Sequence, residues 1–193
     1  MDDLAAFVEV LRRGGVVACP TETWLGLLAD ARDEDAIERV AELKRRPADL
    51  PIALLLPNAQ AMAEVTAEPL SAVSRSLMEQ HWPGPLTILV KAAPNLSPRL
   101  TQNGKVGVRV PGPSPAADLV RAFGHPLTAT SANRTGEPPI RSIDDLPAAL
   151  REGVDALVPG LSPGGPPSTL VDATTDPMQI LRAGAIEIQA AGL

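Results

Sequence analysis

Short apolar segments alternate with amphipathic helical patterns along most of the chain, and this alternation is the feature that most restricts its fold. Apolar residues recur at helical spacing over residues 2–13, and two glycines end that pattern. Residues 16–19 then read as a short strand that is apolar on both faces, and a second helical pattern covers residues 33–44. This order predicts an α/β fold with a twisted, mostly parallel or mixed sheet that helices cover on both faces.

Further elements follow the same pattern. One predicted helix is entered through Pro69, another has Ser114 as N-cap and Pro115 at its first position, and Ser142 with Asp145 resembles a capping box. In an open sheet of this class we expect ligands at the carboxyl ends of the strands. The other predicted strands cover residues 52–56, 87–90, 106–110, 127–130, 169–171 and 179–181.

Charge and residue usage exclude several classes of protein. The 17 basic and 23 acidic residues give a net charge of −6, which argues against a surface built to cover duplex nucleic acid. Two Trp, two Phe and no Tyr leave little on which single-stranded bases could stack. Cys19 stands alone and is interpreted as a packing residue, and two His cannot build a zinc set, so no metal ligand is predicted. Without a long apolar run, we expect a soluble, cytoplasmic protein that does not cross a membrane.

The first candidate site lies at the end of the second helical pattern. Lys44 is seven residues after Ile37, so it continues the buried stripe, and Arg46 precedes a proline and should already lie in a loop. The chain contains neither a Walker A sequence nor a Gly-x-Gly-x-x-Gly sequence, so any nucleotide must be held by other groups. Two converging cations suit a triphosphate. The alternative is that both residues only complement the helix C-terminus.

The predicted strand at residues 106–110 carries a second candidate. At a period of two, its valines face one side, whereas Lys105, Gly107 and Arg109 face the other. The two cations would lie about 13 Å apart, with a glycine between them that leaves room for a ligand. A solvent-exposed strand face is the competing interpretation.

Small polar residues form the third candidate. Residues 128–133 follow an apolar strand and include Ser131 and Asn133, whose hydroxyl and amide could bind phosphate or carboxylate oxygens. Thr21 and Thr23 have the same character. Ordinary turns stabilised by local hydrogen bonds would explain both segments equally well.

Six segments stand in a fixed order along the chain. They read Pro-Thr-Glu-Thr at 20–23, Lys-Arg-Arg-Pro at 44–47, Val-Gly-Val-Arg-Val-Pro at 106–111, Thr-Ser-Ala-Asn at 130–133, Ser-Thr-Leu-Val-Asp at 168–172 and Leu-Arg-Ala-Gly-Ala-Ile at 181–186. Together they resemble the YrdC/TsaC-type threonylcarbamoyl-AMP synthase family, in its short single-domain form, from about residue 7 to residue 187. We therefore expect one domain over residues 1–193.

The resemblance implies a concave cationic cavity and a reaction that joins L-threonine, bicarbonate and ATP into threonylcarbamoyl-AMP and pyrophosphate, for the t6A modification of tRNA. By position, Thr23 and Arg109 are similar to threonine-binding residues, and Lys44 and Arg46 to catalytic residues. The resemblance also implies Mg²⁺ with the ATP, proteins of the t6A machinery as partners and weak contact with tRNA. Its ATP-binding positions are Lys44, Arg46, Lys105, Ser131, Asn133 and Arg182.

The sequence departs from the family in places that bear on the site. Trp24-Leu25-Gly26-Leu27-Leu28 stands where an aromatic-Gly-Leu-Gly run is usual, and Arg45 replaces a common glycine. Leu50 and Leu55 replace a frequent Asn and an occasional His. Two other hypotheses therefore stay open: a non-catalytic paralogue that binds RNA or nucleotide, and an enzyme that transfers a carbamoyl or phosphate group to another small substrate.

Overall fold

In the computed structural model, residues 2–66 and 68–188 are described, and ten of their strands form one mixed sheet. The strands are β1 Val17–Pro20, β2 Leu25–Leu28, β3 Ala53–Leu55, β4 Leu86–Lys91, β5 Thr101–Gln102, β6 Lys105–Arg109, β7 Leu127–Ser131, β8 Ala156–Leu157, β9 Thr169–Asp172 and β10 Gln179–Arg182. The α-helices are α1 Asp2–Arg12, α2 Glu34–Leu43, α3 Met62–Val65, α4 Ala72–His81, α5 Pro115–Phe123 and α6 Ala148–Gly153.

The strands lie in the order β10-β9-β4-β6-β3-β7-β2-β1-β8, and β5 pairs with β6. Three pairs are parallel, namely β1 with β8, β3 with β6 and β4 with β9, and the six remaining pairs are antiparallel. The predicted mixed sheet is confirmed, with fewer parallel pairs than expected. Because antiparallel neighbours end at opposite edges, their carboxyl ends do not form one row. The expected ligand site at such a row is therefore replaced by a cavity on a face of the sheet.

Helices cover the two faces of the sheet unequally. One large apolar cluster joins the sheet to α2, α3, α4 and α6, and a second, smaller cluster joins it to α1 and α5. Strand β1 is buried throughout, with Ala18 in the larger cluster and Val17 and Cys19 in the smaller one. Burial raises the pKa of the Cys19 thiol well above its usual value, which confirms its role in packing.

Side-chain N-caps mark the start of three of the described α-helices, α2, α4 and α5. Helix α5 begins at Pro115 and its N-cap Ser114 accepts a hydrogen bond from the Ala117 amide, as predicted. The predicted entry through Pro69 is wrong, because the Ser71 hydroxyl caps α4 three residues before Ser74.

Two other predictions differ from the structure. The Ser142 hydroxyl caps only a 3₁₀ turn over Ile143–Asp145, and α6 begins after Pro147. The sequence prediction lacks strand β2, Leu25–Leu28. Unlike residues 16–19, this segment contains a glycine and no β-branched residue, and it carries no alternation that marks it as a strand.

A candidate active-site cavity

A cavity of about 530 Å³ opens on the sheet face that α1 and α5 cover only in part. Leu28 and Leu55 mark the boundary, because both belong to the apolar cluster beneath these helices and also line the cavity. Strands β2, β3, β4, β6, β7, β9 and β10 all contribute to the lining. Among the described lining residues, the charged side chains are Arg46, Arg109 and Arg182, and none is acidic. The local charge is therefore positive in a protein of net charge −6.

Strand β6 divides its side chains between core and cavity as its sequence predicts. Val106 and Val108 are buried in the larger apolar cluster, whereas Gly107 and Arg109 line the cavity. A Cβ added at Gly107 would lie only 3.3 Å from side-chain atoms of Thr87 and Leu89 on β4. The absence of a side chain at Gly107 therefore leaves space in the cavity between Thr87 and Leu89.

The loop that joins β1 to β2 carries Thr21 and Thr23 into the cavity lining. The Thr21 hydroxyl accepts hydrogen bonds from the amides of Thr23 and Trp24, donates to the Trp24 carbonyl, and lies 3.1 Å from the Thr23 hydroxyl. The local turn that the sequence suggested as an alternative thus exists. It also holds the hydroxyl of Thr23 at the cavity.

Arg109 lies at the end of β6 and is 7% exposed. Its Nη1 is 3.0 Å from Oε1 of Glu22, a residue of the β1–β2 loop. Strands β3 and β7 separate β6 from β2 in the sheet, so this loop must lie across the sheet face to reach Arg109. Burial lowers the pKa of the Arg109 guanidinium, and the negative charge of Glu22 acts in the opposite direction.

Lys44, Ser131 and Asn133 form a connected group at another part of the wall. The Lys44 side chain is 1% exposed, and its Nζ donates to the carbonyl of Ser131 and, at 2.7 Å, to that of Asn133. Burial and then the charge of Arg46 lower the pKa of Lys44 to about 8. Ser131 lines the cavity, whereas Lys44 and Asn133 lie behind it. The inward direction predicted for Lys44 is confirmed, and its ammonium holds the loop after β7.

The amide nitrogen of the Asn133 side chain forms hydrogen bonds within its own loop. Its Nδ2 donates to the carbonyls of Arg134, at 3.1 Å, and Glu137, at 2.6 Å. Its Oδ1 is buried and has no hydrogen-bond donor among residues 2–66 and 68–188.

Arg46 lines the cavity from the loop after α2, as its place before a proline predicts. Its Nε donates to the carbonyl of Leu50 at 2.8 Å and its Nη2 to that of Pro51 at 2.7 Å, and burial lowers the pKa of the guanidinium. The preceding Arg45 has φ +48°, in the left-handed region. Glycine occupies this region at no steric cost, which explains why a glycine suits this position.

Arg182 reaches the cavity from β10, where it contacts Ser168 of the family-like segment 168–172 and, through Ser168, Thr87, which the sequence did not single out. Its Nη2 donates to the Ser168 carbonyl at 2.8 Å and to the Ser168 hydroxyl at 3.1 Å, and that hydroxyl is 2.9 Å from the hydroxyl of Thr87. Burial and then the charge of Arg109 lower the pKa of Arg182. Sequence reasoning could have found Thr87, because a hydroxyl side chain within the otherwise apolar start of strand β4 indicates a polar contact.

Lys105 is a third predicted site residue, besides Lys44 and Asn133, that does not belong to the described cavity lining. It occupies the opposite end of β6 from Arg109, and its Nζ pairs with Oδ2 of Asp172 at 2.6 Å. It does not belong to the described lining, and its contact with a nucleotide stays a prediction.

Two further observations concern metals and membranes. Within the described part of the chain, no group of three or more His, Cys, Asp or Glu side chains could hold a metal ion. The described helices also include none that is both long and apolar enough to cross a membrane.

The order and spacing of these residues along one chain match a known family. The family model described as telomere recombination, which covers Sua5, YciO and YrdC proteins, matches residues 9–184. The chain belongs to this family. Within the Sua5/YciO/YrdC family, it is similar to the threonylcarbamoyl-AMP synthase of Xanthomonas campestris, with 37% identity over 184 residues that cover 93% of this chain and 97% of that protein.

Two longer relatives of the Sua5/YciO/YrdC family are also similar. The threonylcarbamoyl-AMP synthase of Bacillus subtilis is 34% identical over 190 residues, which cover 95% of this chain and 54% of that protein. The crystal structure of Pyrococcus abyssi Sua5 complexed with L-threonine has a TM-score of 0.87 and 31% identity, and the match covers 94% of this chain and 54% of that chain. The present chain thus spans about half of these two proteins and nearly all of the Xanthomonas protein.

Proposed function

We propose that the protein is a threonylcarbamoyl-AMP synthase, a nucleotidyltransferase that makes L-threonylcarbamoyladenylate and pyrophosphate from L-threonine, bicarbonate and ATP for the t6A modification of tRNA. One observation carries this proposal. Five residues from separate segments, which the family resemblance singles out, line one cavity. They are Thr23, Arg46, Arg109, Ser131 and Arg182. The cavity has a volume of about 530 Å³, which is typical of sites that bind small molecules and cofactors.

Arg109 and Thr23 would hold the amino acid. A guanidinium matches the geometry of a carboxylate, so Arg109 suits the α-carboxylate of threonine. Thr23 presents a hydroxyl at the same wall. Similarity to a Sua5 protein that was crystallised with L-threonine supports this assignment.

The remaining cations would hold the nucleotide. After bicarbonate has carboxylated the threonine nitrogen with loss of water, an oxygen of the new N-carboxylate attacks the α-phosphorus, and pyrophosphate leaves. This route needs no serine or cysteine nucleophile. It needs positive charge at the phosphate oxygens, which Arg46 and Arg182 provide from the cavity wall, with Ser131 and the loop held by Lys44 beside them.

We further propose that Mg²⁺ accompanies the ATP as part of the substrate. Mg²⁺ prefers oxygen ligands and is often held through substrate phosphates, and the described cavity lining offers hydroxyls but no carboxylate. In this arrangement the ion would reduce the charge of the triphosphate, and the arginines would orient it.

Pyrophosphate release tests the proposed function. The protein should release pyrophosphate only when ATP, L-threonine and bicarbonate are all present, and Arg46→Ala should reduce the rate by about 10²- to 10³-fold. Arg121→Ala is a matched control, because Arg121 is an exposed arginine of α5 that pairs with Asp118. Full activity of the Arg46 variant would refute the assignment.

Two other outcomes would support the competing hypotheses. ATP consumption that does not depend on threonine would indicate a transferase with another small substrate. Tight, salt-dependent binding of tRNA without turnover would indicate an RNA-binding module. If the synthase is correct, we propose that its product passes to proteins of the t6A machinery, with only weak contact to tRNA.

A further inference from the structure

We propose that Glu22 is a positioning residue that supplies the counter-charge of Arg109 while leaving the N–H donors of Arg109 available to the carboxylate of the amino-acid substrate. This inference rests on the proposed function and adds to it a residue that does not touch the substrate.

The first argument is burial. The side chains of Arg109 and Glu22 are 9% and 10% exposed, and both carboxylate oxygens of Glu22 are inaccessible to solvent. Glu22 does not belong to the described cavity lining, whereas Arg109 does. The Glu22 carboxylate is therefore buried outside the described lining, and we expect it to influence a ligand through Arg109.

The second argument is the geometry of the pair. Oε1 of Glu22 is 3.0 Å from Nη1 of Arg109, but neither carboxylate oxygen accepts a hydrogen bond from the described residues. The carboxylate thus compensates the charge of the guanidinium without lying along one of its N–H bonds. This differs from the usual forked pairing, in which two N–H donors point at the two oxygens.

The third argument compares the three arginines of the cavity. Arg46 donates two hydrogen bonds to backbone carbonyls, and Arg182 donates to the carbonyl and hydroxyl of Ser168. Within the described residues, the side chain of Arg109 donates no directed hydrogen bond. A guanidinium has five N–H donors, so Arg109 keeps more of them for a ligand than its two neighbours do.

A charge at this depth needs a counter-charge. An isolated guanidinium is costly to bury, and the described residues place only the Glu22 carboxylate within ion-pair distance of Arg109. A Cβ added at Gly112 would lie 3.4 Å from the Cγ of Glu22, so the chain after β6 runs beside the Glu22 side chain. Glu22 therefore lies close to this segment as well as to the guanidinium whose charge it compensates.

Glu22→Gln tests the inference, because it keeps the size of the side chain and removes the charge. We expect the KM for L-threonine to rise by about tenfold or more, since small displacements of a binding group weaken it strongly. The KM for ATP should stay within about twofold. Glu22→Asp retains the charge at a greater distance and should restore part of the threonine affinity.

Glu38→Gln is the matched control. Glu38 forms an ion pair with Arg99, 2.5 Å between Oε1 and Nη2, outside the described cavity lining. Removing this charge should leave both KM values unchanged. A rise in both KM values for Glu22→Gln, or a fall in kcat alone, would indicate general damage and overturn the inference.

A crystal structure of the Glu22→Gln variant separates this inference from the proposed function. We expect the Arg109 guanidinium to move by more than about 1 Å, whatever reaction the protein catalyses. If the wild-type protein releases no pyrophosphate, the synthase assignment fails, and the position of Arg109 still decides the role of Glu22. An unmoved guanidinium together with an unchanged KM for threonine would refute that role.

Discussion

The two faces of strands β4 and β6 contrast in burial and polarity: one is packed in the apolar core and the other lines the cavity. On one face, Ile88 and Val108 lie opposite each other and are fully buried in the larger apolar cluster. On the other face, Thr87, Gly107 and Arg109 line an open cavity. Residues that are adjacent in sequence thus lie in separate environments, one in the apolar core and one at the proposed ligand site. A change on one face should therefore affect the other only weakly.

The largest effect should follow from Arg109→Ala on the cavity face. Loss of the guanidinium should lower kcat/KM for L-threonine by about 10²- to 10³-fold, since a directed charge in a partly closed site is removed. Arg109→Lys keeps the charge without the planar fork and should recover only part of the activity. Steady-state pyrophosphate assays measure both, and equal activity of all three proteins would contradict the separation of the faces.

The apolar face should respond to Ile88→Ala with a change in stability. The free energy of unfolding should fall by about 3 kcal/mol, because methyl groups are removed from a closely packed core. Chemical denaturation measures this loss. The KM values of the folded variant should equal those of the wild type, and a selective rise in the KM for threonine would show that the two faces are coupled.

Lys44 should make stability depend on pH. Its pKa is about 8 in the folded protein against 10.5 ordinarily, so the unfolded state binds more protons between these values, and stability should rise with pH there. Between pH 7 and pH 10 the contribution of Lys44 should improve by about 2 kcal/mol. Chemical denaturation of the wild type and of Lys44→Met at both pH values isolates this contribution. The free energy of unfolding of the wild type minus that of Lys44→Met should rise with pH. If this difference is constant or falls, the ammonium of Lys44 is not buried as described.

Gly107→Ala should have a moderate effect confined to the cavity. The added Cβ would meet Thr87 and Leu89 at 3.3 Å, so these side chains must shift by a few tenths of an ångström. We expect ligand affinity to fall by about tenfold and the free energy of unfolding to change by about 1 kcal/mol or less. Calorimetric titration with L-threonine and then with ATP measures the affinities, and unaltered binding would show that ligands do not approach β6 closely.

Lys105→Ala should have the smallest effect on activity. The Lys105 ammonium is already paired with Asp172 at the far end of β6, so we expect activity to fall by only about two- to threefold. The kcat/KM for ATP measures this effect. A loss as large as that of Arg46→Ala would instead support the nucleotide contact that the family resemblance implies.

Sequence reasoning located elements well wherever local chemistry decides them. The amphipathic stripe of α2, the Ser114 cap of α5 and the alternation of β6 all follow from neighbouring residues, and the structure confirms each. It failed where the decisive contacts are distant. Strand β2 has no alternation of its own, and it becomes a strand because β1 and β7 pair with it on either side.

The sequence by itself determined which residue types this protein has available for a site, and in which order: hydroxyls at 21–23, cations at 44–46 and 109, small polar residues at 130–133. Only the tertiary structure decided their relation. Lys44 lies outside the described lining and binds the carbonyls of the loop after β7. Lys105 pairs with Asp172, also outside that lining, and Glu22 reaches Arg109 past strands β7 and β3. The reason is physical: side-chain direction follows from local periodicity, whereas the pairing of charges depends on the order in which distant strands assemble in the sheet.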